Sequence, residues 1–300
     1  MGLISAIKAL FNKNIDCGLE LDGYVLYKCI TKGGNLYNGA NIVVRDGFEA
    51  VFVCKNKVCD VLTAGKYKIS PSTLPNTFSR AGASRLLEHG VSVKKIKASV
   101  YFVNTKVFPN LPFRSNNSLT IKSVKFGKVK FKISGLYGLQ VIDSVEFIKF
   151  AMSKLGIKKP DKFTASLGAW IGNKSIYALS HSKYAFTDML TRRKEINNYI
   201  HLNIVEDVSK HGMRLINERV EDYIVDKDIE QAVNSYLNTV TIDKDLVAPV
   251  MINSVQYKVS GGVYEEHYEH VNGLNVDKVC PRCGHVVDDG AYCPYCGTKL

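Results

Sequence analysis

The chain has 300 residues, a formal net charge of +12, and 46% hydrophobic and 10% aromatic residues. That apolar content can bury a substantial core and excludes a largely disordered chain, while the length allows one large domain or two ordinary ones. No apolar run reaches the roughly 18–20 residues that cross a bilayer, and the start lacks the flank and cleavage site of a secretory signal, so we expect a cytoplasmic protein, soluble or held on a membrane from one side.

At the amino terminus Leu3, Ile4, Ile7, Leu10 and Phe11 fall in a stripe roughly 120° wide at 100° per residue, with Lys8 and Lys13 outside it. Two readings stand for this helix: it lies in a membrane interface with its lysines at anionic headgroups, or it caps the protein's own core. Gly2 follows the initiator, but Ala6 occupies the place where myristoylation requires Ser or Thr.

A β-rich stretch follows. The runs 41–44 and 48–54 flank Arg45-Asp46-Gly47, and 58–62 and 67–69 flank Thr63-Ala64-Gly65-Lys66, which predicts an antiparallel meander. Residues 79–89 look helical, and strands resume at 99–104, 119–133 and 136–142. Within them Lys128, Lys130 and Lys132 alternate with Val129, Phe131 and Ile133, so one strand face is apolar and the other a row of lysines. Lys122 and Lys125 extend this charge, with a slip of parity near Phe126-Gly127 that marks a bulge or a turn. From residue 91 to 135 there are ten Lys or Arg and no Asp or Glu, whereas 195–232 holds nine acidic residues against four basic ones. Such a row is either an ordinary solvated face or a surface made for anions.

After Asp143 the period becomes helical. Residues 144–155 read as a short helix, 182–211 as a long one, 213–224 as a strand and 227–237 as a helix, with a β segment at 250–259 and an acidic linker containing Glu265, Glu266, His267, Glu269 and His270. The fold class is therefore α+β, with an antiparallel β-rich first half and an α/β second half.

The chain ends in Cys280-Pro-Arg-Cys283-Gly and Cys293-Pro-Tyr-Cys296-Gly, with nine residues, Gly284 to Tyr292, between the inner cysteines. Each tight turn aims two thiolates at one ion, so Cys280, Cys283, Cys293 and Cys296 are expected to hold a structural Zn2+ in a small zinc ribbon; iron in a rubredoxin-like site uses the same ligands. Four sulfurs leave no position for water, which argues against catalysis there. A segment this short folds only with its metal. His285 reads as a bystander of the ligands. The remaining cysteines, Cys17, Cys29, Cys54 and Cys59, are expected as free thiols, although Cys54 and Cys59 bracket a turn and could meet across a hairpin. No Gly-x-Ser-x-Gly, phosphate-binding glycine loop, Gly-x-Gly-x-x-Gly or His-Glu-x-x-His is present, so an enzyme is not expected.

Three stretches together resemble the SPFH superfamily of stomatin, prohibitin, flotillin and HflK/C, also called the band 7 domain. The first is Asn41-Ile-Val-Val-Arg-Asp-Gly47-Phe-Glu-Ala-Val-Phe-Val53, continued by Ala64-Gly65-Lys66-Tyr67, which is similar to the family's opening hairpins. The second is Tyr101-Phe102-Val103-Asn104 with 129–142, ending Gly135-Leu-Tyr-Gly138-Leu-Gln-Val-Ile-Asp143 and followed by Phe147 in the aromatic place of a helix entry. The third is 195–236, including Lys210-His-Gly212-Met-Arg-Leu-Ile-Asn-Glu-Arg-Val220, which resembles the closing helix, strand and helix. In particular the chain looks like the soluble bacterial, virion-core-protein-like branch, whose members can carry a C-terminal zinc ribbon.

The resemblance implies an SPFH-like domain over 24–240 (24–142 β-rich, 143–240 α+β), preceded by a lead-in at 1–23 and followed by a β segment and linker at 241–278 and the ribbon at 279–300. Ser144 stands where the family often has proline, and the long Ala/Glu-rich coiled coil that drives ring assembly in many relatives is absent, so large rings are not implied although an oligomer is allowed. The expected function is a non-catalytic scaffold peripheral to the cytoplasmic membrane face, docked through the first helix and through Lys122, Lys125, Lys128, Lys130 and Lys132, with the ribbon recruiting a protein partner. The alternative is a nucleic-acid-binding protein using the same lysines and ribbon.

Overall fold

A computed structural model describes residues 14–156 and 160–240, together with the backbone of two short strands, Lys278–Val279 and Val286–Val287. The amino-terminal helix, the 250–259 segment, the acidic linker and all four ribbon cysteines lie outside the described residues. The chain divides into two compact units, one drawing on residues up to Val107 with Val141–Thr164 and Lys210–Met213, the other on Phe108–Gln140, Ala165–Ser209 and the residues from Arg214 onward.

In the first unit the strands are β1 (Ile15–Asp16), β2 (Leu26–Lys28), β3 (Asn35–Tyr37), β4 (Asn41–Val44), β5 (Phe48–Cys54), β6 (Lys57–Leu62), β7 (Gly65–Lys68), β8 (Lys95–Lys97) and β9 (Ser99–Asn104). The expected meander is corrected. β4 pairs with β7 and, in parallel, with β1, while β5 pairs with β6 and β9, so the β5–β6 hairpin is nested inside the β4–β7 pair. The reason is burial: β5 sits centrally in the order β2-β9-β5-β6 and is buried almost throughout, whereas β4 alternates and serves a second small sheet. Lys55 and Asn56 close the β5–β6 hairpin with φ of 48° and 57°, the left-handed pair of a two-residue hairpin turn. Cys54 and Cys59 flank this turn as free thiols, as do Cys17 and Cys29 elsewhere; Cys54 Sγ reaches the Lys97 carbonyl at 3.4 Å, and burial pushes the Cys29 thiol up to about 11.

Phe52, Phe78, Phe102, Ile42, Ile69 and Leu74 form the centre of this unit's core. The helical reading of 79–89 resolves into two short helices, α1 (Pro75–Arg80) and α2 (Ala83–Glu88). Asp60 of β6 caps α1 by accepting from the Asn76 and Thr77 amides at 3.4 and 2.7 Å. Helix α3 (Ser144–Phe150) starts where expected because Asp143 accepts from the Val145 and Glu146 amides at 2.9 and 3.0 Å, a cap that needs no proline. Phe147 is buried edge-on against Phe163, at 5.8 Å between centroids. Gly212 has φ +73° and passes so close that a Cβ there would stand 2.2 Å from the Asp143 carbonyl oxygen.

In the second unit β10 (Phe108–Arg114) and β11 (Leu119–Ser123) pair antiparallel with successive stretches of one long strand, β12 (Gly127–Val141), which also pairs with β13 (Met213–Ile224). The break expected near 134–135 does not exist. Gly135 lies within the strand, where a Cβ would meet the Arg219 backbone oxygen at 2.0 Å, so it serves close approach of β13 and not a turn. A helix with no sequence expectation, α4 (Pro160–Ser180), fills the interval before 182. The long helix expected over 182–211 is two, α5 (Phe186–Thr191) and α6 (Arg193–Ser209), divided at Arg192, whose φ of −110° and ψ of 48° are not helical. β13 and α7 (Lys227–Leu237) match their expected bounds.

Candidate functional site

Alternation along β12 puts Val129, Phe131 and Ile133 inside and the intervening lysines outside. The register then decides what joins them. Lys122 is directly opposite Lys128, and Thr120 is opposite Lys130, while Ile121 meets Val129 and Leu119 meets Phe131. Directly opposed residues share a face, so Lys122, Lys128, Lys130 and Lys132 stand on one side of the hairpin; the first three are exposed and Lys132 is half-buried. None of the four forms an ion pair among the described residues, although a like-charged cross-strand pair costs stability.

The parity slip at Phe126-Gly127 is a turn. Val124, Lys125 and Phe126 form a three-residue loop closed by Gly127 at φ +69°, with the Phe126 amide donating to Ser123 Oγ at 3.3 Å. Lys125 therefore does not belong to the row: its Nζ lies 4.1 Å from the centroid of Tyr236 on α7. Phe126 packs edge-to-face on Phe186 and Tyr236, at 5.9 and 5.7 Å, and Phe131 packs on Phe186 and Tyr223, at 5.2 and 5.6 Å. Val124, which sequence reasoning passed over, is fully exposed at the apex. Its signal was an apolar residue between Lys122 and Lys125 where the chain turns.

A second feature went unread. Glu218 occupies an inward, buried position of β13, with Oε1 accepting from Ser175 of α4; among the described residues Oε2 and the nearby buried Tyr137 hydroxyl have no hydrogen-bond partner. Burial raises the Glu218 carboxyl to about 8, and burial, with the Glu218 charge second, raises the Tyr137 phenol above its usual range. A glutamate at an alternation position between Ile216 and Val220 was the available clue.

Among the described residues no group of three or more His, Cys, Asp or Glu could hold a metal ion, and no helix is long and apolar enough to cross a membrane. A surface concavity of about 470 Å³ in the first unit is lined by Lys55, Val58, Cys59, Asn76, Ser79 and Arg80, which offers a thiol but neither histidine nor carboxylate to activate it. Backbone pairing of Lys278–Val279 with Val286–Val287 brackets the first Cys-x-x-Cys in sequence.

Compared with known proteins, residues 26–240 match the family model described as the SPFH domain-Band 7 family. No curated protein matches the chain.

Proposed function

Because the chain belongs to the SPFH domain-Band 7 family over residues 26–240, a family of scaffolds that are generally not enzymes, we propose that it is a non-catalytic scaffold docked peripherally on the anionic inner face of the cell membrane. One observation carries the docking: Lys122, Lys128, Lys130 and Lys132 share one face of the hairpin with no carboxylate paired to them among the described residues. Juxtamembrane lysines contribute about 1 kcal/mol each against an anionic surface. Lys125, held over Tyr236, is left out of this face, and the helix of Leu3, Ile4, Ile7, Leu10 and Phe11 adds an apolar anchor in this reading. Assignment to the virion-core-protein-like branch belongs to the same proposal.

Flotation with vesicles tests it. The Lys122→Glu/Lys128→Glu/Lys130→Glu variant should lose at least about tenfold in affinity for phosphatidylglycerol vesicles. Wild-type binding that is equal on anionic and zwitterionic vesicles defeats the docking. The lysines favour a second reading, a nucleic-acid-binding protein, whose mark is retardation of DNA or RNA that falls steeply between two salt concentrations.

The proposal assigns Cys280, Cys283, Cys293 and Cys296 to one structural Zn2+ in a ribbon that recruits a protein partner. Supporting it are the spacing of the cysteines and the paired strands on either side of Cys280 and Cys283. Elemental analysis of purified protein should give one zinc per chain, falling to near zero in Cys283→Ser; a metal-free wild type refutes the ribbon.

A further inference from the structure

Val124 stands fully exposed at the end of the β11–β12 hairpin, yet the loop that carries it is fastened down. Phe126 is wedged between Phe186 and Tyr236, Lys125 lies over the Tyr236 ring, and the Phe126 amide is tied to Ser123 Oγ. The turn thus holds one branched apolar group outward on a fixed stalk. Immediately behind it Lys122 and Lys128 oppose each other, with Lys130 next along the same face.

Water solvates the lysines and gains nothing from the valine. A layer of anionic headgroups over hydrocarbon suits both, because cationic heads stay among phosphates while the apolar tip goes deeper. A single strand would stack its bases on free aromatic faces, but Phe126, Phe131 and Tyr236 are engaged with one another's cluster or with Lys125, and a nucleic acid held through its phosphates alone offers the valine no apolar surroundings.

We infer that the β11–β12 tip is a membrane-inserting wedge: Val124 enters the acyl boundary of an anionic bilayer while Lys122, Lys128 and Lys130 hold its headgroups. This rests on the anionic-surface reading of the lysine face and adds the point and depth of contact.

The full chain has a single tryptophan, Trp170, so Val124→Trp supplies a depth probe. On phosphatidylglycerol vesicles with brominated acyl chains, Val124→Trp should show blue-shifted emission and strong quenching that the unchanged protein, reporting Trp170, does not. Val124→Asp should raise the lipid concentration for half-binding about tenfold. If Val124→Asp binds as the wild type does and Val124→Trp is not quenched, while the triple lysine variant loses binding, the wedge is overturned and the lysine face stands. If vesicles are not bound, or are bound regardless of both sets of changes, wedge and face fall together. Lysine-dependent retardation of DNA or RNA without vesicle binding overturns both in favour of a nucleic-acid partner.

Discussion

Replacing Gly172 by alanine should lower the stability of the protein by about 2–4 kcal/mol, read as a drop in urea midpoint, although the same change in an ordinary helix interior raises it by up to about 1 kcal/mol. Gly172 lies in α4, where a Cβ would stand 2.6 Å from the Ser115 amide nitrogen and 2.8 Å from the Arg114 carbonyl carbon. Both are backbone atoms. The Ser115 amide is committed to the Ile133 carbonyl at 2.9 Å, and Ser115 Oγ accepts from the Ile133 amide at 3.0 Å, so the neighbour cannot yield without breaking the tie to β12. Gly23, with nothing within 4 Å of its added Cβ, is the control and should change little on substitution by alanine. A midpoint for Gly172→Ala equal to or above wild type would contradict this packing.

The second large effect has the opposite sign and depends on pH. The folded chain holds Glu218 protonated up to about pH 8, while the unfolded chain releases that proton near the ordinary value of 4.5. Between these values unfolding releases a proton, so stability is fully present below the lower pH and is lost progressively as pH rises through the upper one. The shift corresponds to roughly 3–5 kcal/mol lost by alkaline pH. Ser175 donates to this carboxyl and Tyr137 lies near it, and among the described residues no cation is recorded acting on it. Ser175 Oγ also reaches the Ile171 carbonyl at 2.9 Å, and its single proton serves only one acceptor; a neutral Glu218 satisfies both by donating its own. Glu218→Gln should therefore flatten the melting temperature between about pH 5 and pH 8 and exceed wild type at the upper end. An unchanged pH slope in that variant would remove Glu218 from the account.

What the sequence made legible was whatever rests on local periodicity. β13 and α7 carry their alternation and their 3.6-residue stripe in apolar side chains, and both appear at their expected limits. Helix α4 did not, because three of its buried positions are Gly168, Gly172 and Ser175, which add nothing to an apolar pattern. Gly135 was taken for punctuation when it answers a close backbone. The nesting of β5–β6 inside β4–β7 is a non-local pairing that short runs cannot announce. On the lysine face, alternation placed Lys128, Lys130 and Lys132 together, and Lys122 joined through the register; Lys125 was miscounted because a three-residue loop turns it toward Tyr236. The break at Arg192 has no glycine or proline to signal it.

The first unit is assembled from three separated stretches, the last only four residues long, Lys210–Met213. On the ribosome, its strands through β9 would emerge long before Gly212, whose carbonyl accepts from the Ile142 and Asp143 amides at 2.9 and 3.0 Å. At about 5–20 residues per second, translation from Val107 to Met213 takes roughly 5–20 s. For that interval the nascent unit lacks its closing loop beside α3, a period in which a holding chaperone has a defined substrate and a stalled ribosome a defined liability.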